Sequence, residues 1–156
     1  TLQMNDHSFR EHVWRSQKKP KQKHHKKIRT YLKLDELGFV SEQRIGRRFV
    51  DELNERAKII VEVNGDYTHA NPKFFKADDV IKLRGQCYTA IEKWKADERR
   101  RSELIARGYH VITVWESDDL DVMKQDLTRI LRRHDPARQN QSQAASSVAI
   151  GSNSSA

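Results

Sequence analysis

The segment Lys58–Asn64, KIIVEVN, constrains this chain more than any other. It is a short apolar run rich in β-branched residues and closed by Gly65, the pattern of a central strand covered on both faces. Glu62 nevertheless stands in its middle, on the face that also carries Ile60 and Asn64. An ionised carboxylate on a buried strand is costly without a partner or a cation. Glu62 therefore marks a position where the chain does more than pack.

Arg47–Leu53 alternates, with Phe49, Asp51 and Leu53 on one face, and Asn54-Glu55 supplies a turn. The two strands are expected to form an antiparallel hairpin that brings Asp51 towards Glu62. Clustered carboxylates raise each other's pKa unless a cation neutralises them. A hard divalent ion such as Mg²⁺ prefers such oxygen ligands. The competing reading is an acid facing solvent at a sheet edge, or paired with Arg47 or Arg48.

Periodicity places helices over Lys27–Leu37, Thr89–Arg107 and Asp118–Arg133, and a further strand over Tyr109–Trp115. In the last helix Leu120, Met123, Leu127, Ile130 and Leu131 point inward. The strand–helix–strand unit implies a parallel pair with a right-handed crossover. Asp66–Gly85 reads as a long irregular excursion of the kind that serves as a lid or binding loop. The expected fold class is α/β, a mixed sheet flanked by helices.

Two more polar residues stand out. His69 lies beyond the glycine turn that follows the Glu62 strand, and a histidine beside a metal site can take a proton from water near neutral pH. Asp97 interrupts the stripe of Trp94, Arg101, Leu104 and Ile105 that should face the core. It either pairs with Arg101 one turn away or reaches a site.

Charge is concentrated in one arm. Arg15, Lys18, Lys19, Lys21, Lys23, Lys26, Lys27 and Arg29 fall in a stretch with no acid, and they equal the whole net charge of +8. Such a block seeks polyanions, and DNA phosphates reward it by releasing counterions. One cysteine, Cys87, excludes an internal disulfide and makes a cysteine-rich zinc site unexpected. No apolar run has the length to span a membrane, and an intracellular protein is expected. The organisation expected is a basic, partly ordered arm over 1–29, a catalytic domain over 30–134 and a disordered polar tail over 135–156.

The stretches GRRFVDELNERAKIIVEVNGDYTHANP and WKADERRRSELIARGYHVITVWE resemble the very-short-patch repair (Vsr) endonucleases. They resemble still more closely the phage homing endonucleases with the EDxHD signature, a branch of the PD-(D/E)xK nucleases. The resemblance runs from Phe39 to about Glu116 and implies a small Vsr-like nuclease fold acting on double-stranded DNA. It implies that Asp51 holds Mg²⁺, for which Mn²⁺ can substitute, with Glu62 as the acid of the E-x-K element and the Val63 carbonyl as a further metal ligand. It also implies catalytic roles for His69 and Asp97. The upstream glutamate of the family falls at Glu42 in preference to Glu36. Two departures matter. Asn64 stands where the E-x-K element has its lysine, and the zinc site of the repair enzymes has only Cys87 to draw on, which favours homing over mismatch repair; the nearest rival is a repair or restriction nuclease of the same fold. The rival from another class is a non-catalytic nucleic-acid-binding module.

Overall fold

The computed structural model describes residues 21–137 and 139–140. In chain order the elements are α1 (Lys21–Tyr31), β1 (Val40–Ile45), β2 (Arg48–Asn54), β3 (Ile59–Asn64), β4 (Val80–Leu83), β5 (Gln86–Thr89), α2 (Ala90–Ala106), β6 (His110–Trp115) and α3 (Leu120–His134). Four strands form a mixed sheet in the order β1-β2-β3-β6. The β1/β2 and β2/β3 pairs are antiparallel, and β3/β6 is parallel across the α2 crossover.

The alternation of β3 assigns its two faces. Ile59, Val61 and Val63 pack with Ile28 and Leu32 from the α1 side and with Leu127 and Leu131 of α3. Ile60, on the opposite face, packs with Leu53, Val50, Val111 and Leu104 of α2. That second core stops one step before Glu62, and the cleft opens there.

Thr89 caps α2 in a full capping box with Glu92, and Asp119 caps α3. Such caps satisfy amide groups that a helix start leaves without intrahelical partners. They fix where α2 begins, and so the height at which its polar residues meet the sheet.

Three elements differ from the sequence expectation. The first helix covers Lys21–Tyr31 and not Lys27–Leu37. It ends early because Lys33 takes a positive φ of 52° and residues 32–38 form turns. Its described part reaches back to Lys21, and on it His24, His25 and Arg29 find acidic partners on the sheet side. VSEQRI forms an extra edge strand, β1, half solvated and lacking the apolar alternation that would announce it. Residues 66–89 are no irregular loop. They contain a β4–β5 hairpin with its own small core of Ala70, Phe75, Ile81 and Ala90, backed by Tyr67, Phe74 and Trp94.

At the other end of the domain, Asp135 is buried and accepts a hydrogen bond from Arg56 at 2.9 Å. Residues 1–20 and 141–156, and with them most of the arm and tail expectations, lie outside the described residues.

Candidate active site

Asp51 and Glu62 approach through strand register. The β2/β3 ladder pairs Asn54 with Ile59, Leu53 with Ile60 and Glu52 with Val61, so the next step along it is Asp51 and Glu62. The regular strand breaks at this step. The β1/β2 ladder skips the Glu42–Asp51 position, and Glu42 has a φ of 52°. Val50 and Leu53 join the same core, although strict alternation would send them to opposite faces. Distortions of this type re-aim side chains beside functional sites. Here Asp51 turns to the end of β3, where Oδ2 accepts the Val63 N–H at 2.8 Å. In a strand a residue's N–H and C=O face the same neighbour, so the Val63 carbonyl shares that edge.

Glu62 is only 12% exposed. Burial pushes its carboxyl above the usual range, the Asp51 charge pushes it further, and Arg100 partly restores it. Arg100 Nη2 lies 2.7 Å from Glu62 Oε1 and also donates to the Phe49 carbonyl. Glu62 therefore pairs across the cleft with a residue of α2, and not with Arg47 or Arg48. Arg48 pairs with Glu103 instead.

His69 and Asp97 meet on the same side. His69 Nδ1 lies 2.8 Å from Asp97 Oδ2, and Lys93 Nζ donates to the other oxygen at 2.6 Å. Burial raises the Asp97 carboxyl, but His69 and Lys93 outweigh it and hold the group below the ordinary aspartate range. The alternative i, i+4 pair with Arg101 does not form, because Arg101 donates to the Val111 carbonyl at 2.9 Å. Trp115 stands edge-on to the His69 ring, with centroids 6.5 Å apart, and Trp94 Nε1 ties the following residue by donating to the Ala70 carbonyl at 2.6 Å.

Glu62, Asn64, His69, Asp97, Lys93 and Arg100 all line one open cleft of about 640 Å³ between α2 and the sheet. Its cations were not foreseen. Lys93 had a signal in its i, i+4 spacing to Asp97, and Arg100 had one in the basic run 99–101 beside an acidic strand. Ile105, expected on the inward stripe, is 48% exposed.

Glu42 stands apart. It is exposed on the outer strand and makes no hydrogen bond or ion pair with the described residues. Glu36 is exposed in the turns after α1, and α1 itself contains no acid. The buried acid near Asp51 is its neighbour Glu52, fully enclosed on the opposite face. His25 Nε2 lies 2.8 Å from its carboxylate, Ser41 Oγ donates at 2.7 Å, and Arg29 pairs with it. Burial raises the Glu52 carboxyl, yet these partners hold it below the ordinary range. Arg29 is thereby engaged with the sheet, whereas Lys23, Lys26 and Lys27 are exposed on α1. Arg15, Lys18 and Lys19 lie outside the described residues, as does the side chain of Lys21.

The donor chemistry of Asp51 and Glu62 fits a hard divalent cation. Two adjacent carboxylates, one with raised proton affinity, are relieved by such an ion. Among the described residues no group of three or more His, Cys, Asp or Glu side chains is arranged to hold a metal.

No protein-family model and no curated protein sequence matches the chain. A solved structure similar to it is the catalytic domain of the homing endonuclease I-Bth0305I. The TM-score is 0.49 and the identity 18%, over 71% of this chain and 95% of that one.

Proposed function

We propose that the chain is a divalent-metal-dependent endonuclease that hydrolyses phosphodiester bonds of double-stranded DNA. The observation that carries this reading is a cleft lined by Glu62 on its sheet side and by a His69–Asp97 pair on its helix side, with Asp51 next to Glu62 at the end of β3. A module that only bound phosphate would gain nothing from burying Glu62 beside Asp51.

Asp51, Glu62 and the Val63 carbonyl would hold Mg²⁺ or Mn²⁺. When bound, the ion supplies Lewis acidity at the scissile phosphate and acidifies water. The remaining work belongs to the side chains. Asp97 engages Nδ1 of His69, which leaves Nε2 for proton transfer. As base, Nε2 takes a proton from the attacking water; the Asp97 carboxylate stabilises the imidazolium so formed. Lys93 and Arg100 supply positive charge to phosphate oxygens, the role for which Asn64 has no ammonium group. Exposed Lys23, Lys26 and Lys27 add sequence-blind affinity, as would the arm residues before them.

Within this class we read the chain as the catalytic domain of a homing endonuclease of the EDxHD type. The support is the sequence pattern around Asp51, His69 and Asp97, together with a lone cysteine that cannot build the zinc site of the repair enzymes. In that pattern Glu42 would be the upstream acid, and its place opposite Asp51 in the β1/β2 register supports the choice over Glu36.

Supercoiled plasmid tests the reading. Nicked or linear product is expected with Mg²⁺ or Mn²⁺ and none with a chelator. Asp51→Ala should be inactive with an unchanged fold, losing several orders of magnitude in rate. Absence of metal-dependent cleavage by the correctly folded chain would overturn the proposal, and so would a fully active Asp51→Ala protein. Matched and mismatched duplexes compared in the same assay separate homing from repair.

A further inference from the structure

The β4–β5 hairpin has no part in the chemistry above. We infer that it is a DNA-reading ribbon that enters the major groove of the duplex and sets where the cleft cuts. This rests on the endonuclease reading and assigns the element that would give it sequence preference.

The hairpin is built to hold its shape. Its four cross-strand pairs run from Val80/Thr89 to Leu83/Gln86. The two-residue turn Arg84-Gly85 has φ of 50° and 83°, both positive. This is the backbone of a turn whose twist matches the flanking strands, and so the ribbon is preorganised. Ile81 is fully buried beneath it, and Tyr67 Oη accepts the Lys82 N–H at 2.9 Å, which covers the outer edge of β4.

One face is left without a covering layer. Val80 is 64% exposed, and Lys82 and Cys87, which pair across the strands, are exposed beside it. Arg84 is exposed at the tip, next to a Gly85 whose missing side chain would meet only open space. From Val80 to Thr89 the ribbon carries Lys82 and Arg84 and no acid. A face so charged suits a polyanion. Readout selects the groove for this ribbon, which is about 13 Å long. The major groove, about 12 Å wide, admits a two-stranded ribbon and shows a distinct donor and acceptor pattern for every base pair, whereas the minor groove, about 6 Å wide, shows a degenerate one. Arginine and lysine are the side chains that read guanine edges in the major groove.

The ribbon is also coupled to the site. Thr89 closes β5 and caps α2, the helix that carries Lys93, Asp97 and Arg100. No hinge separates ribbon from cleft, so a base contact at Arg84 sets the phosphate presented to His69.

The native chain carries its own probe, because Cys87 is its single cysteine and is exposed on the proposed contact face. The full chain is incubated in a chelator with a short duplex, saturation is followed by fluorescence anisotropy, and the rate of Cys87 modification by a maleimide is measured. Saturating duplex should slow the modification by about tenfold or more, as expected for a thiol removed from solvent. Lys82→Gln and Arg84→Asn, the latter a residue that tolerates positive φ, should each lower the salt slope of binding by about 1. Arg84→Asn should also change the ranking of duplexes of different sequence. Unchanged Cys87 reactivity at saturating duplex would overturn the inference. So would equal protection by a single-stranded oligonucleotide, or an unchanged sequence ranking for Arg84→Asn. Protection without Mg²⁺-dependent cleavage would leave the ribbon standing and defeat the nuclease reading instead; cleavage without protection would do the reverse.

Discussion

If His69 and Asp97 form one proton-handling unit, their losses must not add. Removing the base in His69→Ala should slow single-turnover cleavage by about 10²–10⁴-fold. Asp97→Ala removes a positioning carboxylate, and losses of that kind run to about 10–100-fold. Independent action would multiply the two. The structure argues otherwise, since Asp97 Oδ2 lies 2.8 Å from His69 Nδ1 and has no imidazole to orient once His69 is gone. Two unit charges at that distance attract by about 6 kcal/mol at an effective dielectric constant near 20. Both side chains are about a quarter exposed, at 23% and 27%. Water therefore screens most of this, and a coupling energy of about 2 kcal/mol is expected, which is about 30-fold in rate. The double variant should be little slower than His69→Ala. Lys93→Met separates the second load on Asp97, because it removes a cation from Oδ1 and leaves the His69 contact in place. The assay is single-turnover cleavage of duplex DNA across a Mg²⁺ titration. Fully multiplicative losses with unchanged metal affinity would refute the pairing. Weakened metal binding in Asp97→Ala but not in His69→Ala would make Asp97 a ligand instead.

Three further outcomes follow from the electrostatics. Glu62 has a raised folded-state pKa, so its contribution to stability is present at low pH and lost as pH rises through that value. Glu62→Gln should therefore stabilise the metal-free protein at neutral pH by about 1 kcal/mol in urea unfolding, while weakening Mn²⁺ binding measured by calorimetry; destabilisation would show that the Arg100 pair dominates. Glu52 has the opposite sign: its stabilisation is present above the ordinary glutamate range and disappears as pH falls through the lowered folded value. Glu52→Gln should cost about 3 kcal/mol at neutral pH, in the range for breaking a buried pair, with the deficit shrinking in acid; an equal deficit at every pH would assign the cost to packing. Replacing Lys23, Lys26 and Lys27 with Gln should weaken duplex binding nearly equally across sequences and flatten its salt dependence, while the cleavage rate at saturating protein stays unchanged. An unaltered salt slope would remove α1 from the DNA interface.

What the sequence by itself determined is the part governed by short-range periodicity. KIIVEVN reads as a central strand because a β-branched run has few other ways to bury itself. The β2/β3 hairpin was legible although its turn lies at residues 55–58 and not at Asn54-Glu55, because Asn54 stays in β2 opposite Ile59; the crossover to β6 follows from strand–helix–strand order. With those in place, Asp51 and Glu62 had to meet. Tertiary structure alone decided which cation answers which acid. Arg100 and Glu62 are 38 residues apart. No local pattern encodes such pairs, because they depend on the angle and height at which α2 crosses the sheet. The distortion at Asp51 was equally hidden, since Glu42 gives no sign in sequence of taking a positive φ. The arm shows the same division. Its charge was plain, but Arg29 and His25 turn inward because Glu52, on the opposite face from Asp51, has no water to solvate it and takes them as partners. The hairpin of residues 80–89 went unseen because its strands are four residues long, too short for alternation to register, and its core is completed by Ala90 and Trp94 from a helix that begins after it ends.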